Sequence, residues 1–400
     1  MLSQETINTV QSTTALLAEH GESITKYFYQ RLFERHPELK NVFNQVNQKR
    51  GDQPRALADA VLAYANNLNN IEALVPVVER IAHKHVSLGI KPEQYPIVGE
   101  NLLAAIQHVL KLPEAHPALL AWEEAYGLLA GIFIKTEESI YQENEQVQGG
   151  WRGFREFEIN KIVAETPEVK SFYLKPTDGK GIPSYSGGQY IGLKVNPEDS
   201  EFDEIRQYSL SGKSGEPFLR ISTKAEFSGL VSNHLHRCEV GTNVLLQAPT
   251  GVFTLNSNAK RHVLVAGGVG VTPMISMLYD ALKNNVKGED LLFIQCARDE
   301  ENLVLKEELK KLAAAEGFNY KASLESGTGA DHLGFLNETV VQQWLNENRL
   351  SADGLTDIYF CGPKPFMIKI YQDLLKWGIP ASQVHFEFFG PREELTQAAA

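Results

Sequence analysis

His262-Val263-Leu264-Val265-Ala266-Gly267-Gly268-Val269-Gly270-Val271-Thr272-Pro273-Met274 decides the architecture of this chain. The apolar run Val263–Ala266 reads as a strand buried on both faces. Glycines then turn the chain, and Pro273 stands where the first turn of a helix tolerates proline. A strand that enters a glycine turn and opens a helix starts a parallel α/β unit. The backbone of Gly268, Val269, Gly270 and Val271, with the Thr272 hydroxyl, offers donors at a helix N-terminus, where a pyrophosphate binds. The last glycine of G-x-G-x-x-G is replaced by Pro273, so the ordinary Rossmann fingerprint is not met.

Outward from this motif the chain falls into three modules. Downstream, LLFIQCARD, DIYFCGP and QVHFEFF are further apolar strands, with helical stretches between several of them. Upstream, from Trp151, short alternating runs appear at Phe154/Glu156, Phe172/Leu174, Tyr190/Gly192 and Leu219/Ile221. Turn residues separate them, as in a small antiparallel barrel. Before Tyr141 the sequence is Ala/Leu-rich with helical periodicity, and Gly149-Gly150 marks a linker. The expected order is an all-α module at 1–148, an antiparallel β-barrel at 151–258 and a parallel-sheet α/β module at 259–400.

Composition removes several classes of function. Lys+Arg 38 against Asp+Glu 50 gives −12 over 400 residues, which directs nothing towards nucleic acid or anionic lipid. With 43% hydrophobic and 22% charged residues the chain is of folded type. Cys238, Cys296 and Cys361 are too few and too dispersed for a disulfide framework or a Cys-rich metal centre. The N-terminus MLSQETINTV has no signal-peptide pattern, and the longest apolar run, Tyr126–Ile134, is short of the about 20 residues a span needs. The expectation is a cytoplasmic enzyme.

In the helical module one histidine stands apart. At 100° per residue Leu74, Val77, Val78 and Ile81 form a stripe with His85 in its middle, while His83 falls towards water. Taken alone, His85 reads first as a hydrogen-bonded core residue, and only its context points to a ligand. A second stripe, Tyr126/Leu129/Ala130/Phe133, carries Glu137. A carboxylate there is either paired, with His85 and Tyr95 as available partners, or reaches solvent at a fraying helix end. Tyr29 shares an apolar face with Phe28, Leu32 and Phe33, and Gln53-Pro54 opens the helix that continues through Leu57.

Tyr29, Phe43, Gln53, Leu57, His85, Tyr95 and Glu137 together resemble the haem-pocket pattern of bacterial flavohaemoglobins. The resemblance implies a globin with haem b, His85 as proximal iron ligand, and catalytic Tyr29, Tyr95 and Glu137. It places Phe43, Gln53 and Leu57 in the pocket, and Lys84 and Glu387 near the flavin–haem interface. Arg206-Gln207-Tyr208-Ser209 is similar to the FAD signature of ferredoxin-reductase-like proteins: an arginine fork for pyrophosphate, a ring for the isoalloxazine, a hydroxyl for the flavin nitrogen. Tyr190 supplies a second aromatic contact, and Gly229-Leu230-Val231-Ser232 a glycine-opened helix start for phosphate. That family also has proline at position 273 and places Cys361-Gly362-Pro363 beside the nicotinamide. Phe389, with Phe388 and Gly390 about it, would cover the other flavin face. Val271 and Phe388 depart from the family's common glutamine and cysteine.

The implied activity is nitric oxide dioxygenation: NAD(P)H electrons pass through FAD to haem, and O2 and NO become nitrate. A flavin reductase serving other acceptors, and an O2 or NO sensor, are the competing readings. Arg298 among Asp299, Glu300 and Glu301 inclines the cofactor towards NADH. A monomer binding only small molecules is expected.

Overall fold

The computed structural model describes residues 2–43, 51–350 and 354–390. The chain forms two compact units, one of Met1–Gln146, Trp151–Phe154 and Gly192–Arg206, the other of Val147–Gly150, Arg155–Ile191 and Gln207–Ala400.

The first unit is dominated by helices α1 (Gln4–Ser12), α2 (Thr14–Arg35), α3 (Asp52–Asn66), α4 (Val75–Leu88), α5 (Gln94–Leu110) and α6 (Pro117–Gln146). Helix α6 buries Ala118, Ala121, Trp122 and Ala125, and then Ala130, Phe133, Glu137, Ile140 and Tyr141. These two stretches of one face pack on α1, α4 and α5. On it Trp122 Nε1 donates to Thr13 Oγ1 at 3.0 Å. Helix α4 has Pro76 in its first turn and ends at Gly89, where φ is 73°. There the N–H of Ile90 closes on the His85 carbonyl at 3.1 Å. Among the described residues α6 alone is long and apolar enough to cross a membrane. Isolated charges interrupt its apolar residues, so no unbroken run marks it in the sequence, and 33% of its apolar window is buried.

Strands β1 (Arg155–Thr166), β2 (Val169–Pro176), β3 (Tyr190–Val195), β4 (Glu204–Ser209), β5 (Leu219–Lys224) and β6 (Asn243–Leu246) form one sheet in the order β4-β3-β6-β1-β2-β5. A bridge between Leu210 and Ile221 joins its two outer strands, so the sheet closes as the expected barrel. Helix α7 (Leu230–Arg237) follows β5.

The second sheet is parallel. Strands β7 (Arg261–Gly267), β8 (Leu291–Ala297), β9 (Asn319–Leu324), β10 (His332–Leu333), β11 (Thr356–Cys361) and β12 (Val384–Phe386) lie in the order β10-β9-β8-β7-β11-β12. Between them run α8 (Val271–Lys283), α9 (Lys306–Glu316), α10 (Glu338–Glu347) and α11 (Lys364–Lys376). Strand β11 is buried at every residue, as a strand covered on both faces must be. Strands β9 and β10 escape a reading by sequence pattern: NYKASL is half polar and its outer end is partly exposed, so it lacks the apolar run. The strand order reverses between β7 and β11, and at such a switch point a doubly wound sheet opens a crevice.

Candidate haem, flavin and nicotinamide sites

The proximal cluster is built from three helices. His85 Nδ1, on α4, lies 2.7 Å from Glu137 Oε1 on α6 and 3.1 Å from the Tyr95 hydroxyl on α5. Tyr95 also donates a short hydrogen bond to the same carboxylate oxygen. Glu137 is only 3% exposed, so of the two alternatives open to it the paired one holds and the fraying one does not. An ionised carboxylate only accepts, so the imidazole proton sits on Nδ1 and the lone pair on Nε2 is left for a metal. Burial, and then the Glu137 charge, raise the Tyr95 phenol well above its ordinary range, which keeps it a donor. Phe133 packs on the imidazole with centroids 5.4 Å apart. His83 departs from expectation: it is half-buried rather than facing water, and burial pushes its imidazole down to about 4.

A second apolar wall carries Tyr29, buried on α2, with the Phe43 ring edge-on at 5.8 Å. Leu57, one helical turn after Gln53, packs into the same apolar cluster. Gln53 Oε1 is buried and has no hydrogen-bond partner among the described residues, an orphaned acceptor that a bound group would satisfy. Leu74, Tyr126 and Leu129 belong to both clusters and join the two walls. A proximal imidazole with a fixed tautomer, in a helical unit that also holds a buried phenol and an orphaned amide oxygen, fits a haem with a polar gas-binding side.

On the barrel, β4 presents Arg206, Gln207 and Tyr208 half-buried and Ser209 buried. The Arg206 guanidinium is 2.9 Å from the buried Glu204 carboxylate and donates to the Ile205 carbonyl at 2.8 Å. Glu204, two residues away on the same strand face, is a member that sequence reasoning missed, and it orients the arginine fork. Tyr190 pairs with Thr250 across the ladder, and a side chain at Gly251 would come within 2.8 Å of its ring. Glycine there lets the ring lie against the backbone. Gly229 caps α7 as expected, and Val231 is core. The Ser232 hydroxyl instead receives the Glu226 N–H at 3.3 Å, shaping the loop before the helix.

The nicotinamide motifs meet at the C-terminal ends of β7 and β11. Gly268, at φ 54°, turns the chain into a 3₁₀ turn, and α8 starts at Val271. A side chain at Gly270 would strike the Cys361 carbonyl, and one at Gly362 would lie 3.1 Å from Gly267 Cα. Only glycine allows these two loops to touch. Val271 and Thr272 are buried, with the Thr272 hydroxyl on the Val269 carbonyl at 3.0 Å, and Pro363 precedes α11. The Cys361 thiol is raised well above its ordinary value by burial and then by Glu387, so it is a packing surface rather than a nucleophile. Glu387 therefore lies within electrostatic reach of Cys361. Phe388 packs edge-on against Phe386 at 5.8 Å, Phe389 is exposed, Gly390 follows it, and Lys84 is exposed on α4.

Comparison with known proteins agrees module by module. The globin family model matches residues 26–133, the oxidoreductase FAD-binding domain 156–255 and the oxidoreductase NAD-binding domain 264–373. The flavohemoprotein of Halalkalibacterium halodurans is 44% identical, covering 99% of each chain. That of Bacillus subtilis is 42% identical over 100% of both. The crystal structure of a flavohemoglobin from Malassezia yamatoensis with bound FAD and heme superposes with a TM-score of 0.87 at 26% identity, over 97% of this chain and 100% of that one. The FAD/NAD-binding domain of nitric oxide dioxygenase from Vibrio cholerae covers 60% of this chain and all of its own, at 34% identity and a TM-score of 0.55. This chain is therefore a member of the flavohaemoprotein family, an oxidoreductase that joins a globin to FAD-binding and NAD-binding modules in one polypeptide.

Proposed function

We propose that this protein is an NAD(P)H-dependent nitric oxide dioxygenase of the cytoplasm, with O2 and NO as substrates and nitrate as product. The overall change balances as nitric oxide plus dioxygen plus one electron giving nitrate, so each nicotinamide hydride serves two turnovers. Haem b would supply the redox centre for oxygen and FAD the step from a two-electron to a one-electron carrier. The observation that carries the reading is the His85–Glu137–Tyr95 cluster, with Tyr29 buried and Gln53 Oε1 orphaned in the same helical unit.

Each side chain has a part. His85 would hold the iron through Nε2. Glu137 keeps the Nδ1 proton in place and makes the imidazole a stronger donor, which favours activation of oxygen over its storage. Tyr95 orients Glu137 through its hydrogen bond. Tyr29 would be the proton-bearing group on the gas-binding side, and Gln53 would add a second polar group there. Arg206 and the α7 start would hold the flavin pyrophosphate, and the Gly268–Thr272 turn that of the nicotinamide dinucleotide. NADH is favoured over NADPH because Arg298 is engaged by Glu168 and Asn302, both at 3.1 Å, with acidic Asp299 and Glu300 around it.

The test supplies NADH, O2 and nitric oxide to the full-length protein and measures nitrate. Nitrate matching the nitric oxide consumed, lost in Tyr29→Phe and His85→Ala, is expected. NADH oxidation without nitrate, unchanged in His85→Ala, would replace this reading with that of a general flavin reductase.

A further inference from the structure

Helix α8, which starts at the dinucleotide turn, lays one polar face on the barrel. Ser276, Tyr279 and Asp280 lie on this face, three and four residues apart. Ser276 Oγ donates to the Gly212 carbonyl at 3.2 Å. Asp280 accepts the Gly187 N–H at 2.5 Å. Tyr279 donates a short hydrogen bond to Glu308 on α9. Glu308 in turn receives a bidentate pair from Arg220 of β5, at 2.7 and 2.9 Å. Arg220 is 5% exposed, and its Nε and Nη2 also donate to the Ser211 carbonyl. A side chain at Gly187 would come within 2.6 Å of Met277 Cα, so the barrel loop rests directly on the helix backbone. That loop runs into Tyr190, and the Gln189 carbonyl accepts the Leu210 N–H at 2.9 Å, just after Tyr208 and Ser209. All of these residues lie in the second compact unit.

An ion pair that desolvates Arg220 this far adds little stability compared with apolar packing; what it adds is a single allowed arrangement. The arrangement it selects relates the helix that begins at the nicotinamide turn to the strands that carry the flavin aromatics. We propose that Arg220, Glu308 and Tyr279 are positioning residues for hydride transfer, setting the pose of α8 on the barrel and so the approach of nicotinamide to flavin. The proposal rests on the reading that both cofactors bind at the sites described above. Hydride transfer is steep in distance, because misplacement by about 1 Å can cost about a hundredfold in rate.

The test mixes the full-length, FAD-loaded protein with excess NADH without oxygen and follows bleaching of the flavin absorbance. In Glu308→Gln and Tyr279→Phe the limiting rate at saturating NADH is expected to fall about tenfold or more. The NADH concentration at half-maximal rate should stay within about twofold, because the dinucleotide turn itself is untouched. A limiting rate equal to that of the unsubstituted protein, with only the melting temperature lowered, would reduce the seam to a structural contact and overturn the proposal. Should Glu308→Gln lose its flavin, Tyr279→Phe, which deletes one hydroxyl, decides alone in the same way. Flavin that NADH fails to bleach in the unsubstituted protein would refute the underlying cofactor reading instead.

Discussion

The proximal histidine cluster and the nicotinamide crevice are assembled from opposite materials. The first is made of side chains: a carboxylate 3% exposed, a half-buried imidazole and a buried phenol that share their hydrogen bonds. The second is made of missing side chains: a Cβ on Gly270 would strike the Cys361 backbone, and one on Gly267 or Gly362 would press on the Phe366 ring. A polar cluster degrades in steps, because a substituted partner still leaves hydrogen bonds to share. A glycine contact has no intermediate state, because backbone cannot retreat from backbone without moving a strand.

Gly270→Ala should therefore give the largest effect. NADH-driven flavin bleaching is expected to fall about a hundredfold, with the haem absorbance unchanged; wild-type bleaching in a folded Gly270→Ala protein would break the contrast. On the other side, Glu137→Gln should retain haem while nitrate production falls about ten- to a hundredfold, the cost usual for a group that orients a metal ligand. Unaltered turnover would show that His85 needs no oriented partner. Tyr95→Phe is milder: Glu137 keeps its bond to His85, and chemical denaturation should register a loss of about 1 kcal/mol. A loss too small to measure would show that the phenol is not needed to keep the carboxylate buried.

The smallest effect concerns pH. Burial lowers the His83 imidazole from 6.5 to about 4, so the unfolded chain binds the extra proton first. Stability is whole above pH 6.5, declines as pH falls through the interval to about 4, and is not lowered further by this group below that. Urea midpoints for His83→Gln should lose part of that slope between the two values; identical slopes would place His83 in water after all.

Much of the fold and of the candidate sites is legible in the sequence because the signals are local. The run Val263–Gly270 states strand, turn and helix start within one window, and Cys361-Gly362-Pro363 does so at the end of β11. His85 and Glu137 are readable because a charged residue on an apolar helical stripe contradicts its neighbours unless it is paired. Illegible are features whose partners are far apart in the chain or whose pattern is weak. Strand β9, with Asn319, Lys321 and Ser323 among its six residues, is held by pairing with β8 rather than by its own periodicity. The Arg220–Glu308 pair spans 88 residues, and nothing in either neighbourhood announces the other.

By itself, then, the sequence determined the order of modules, the secondary-structure elements with strong periodicity, and the residue types that carry chemistry, since these depend on spacing along the chain. Only the tertiary structure decided that Glu137 is buried against His85, that Gly270 lies on the Cys361 carbonyl, that His83 is withdrawn from water, and that α8 is fastened to the barrel. Burial and partnership are properties of surfaces brought together by packing, and a linear pattern records which faces are apolar without recording what they will meet.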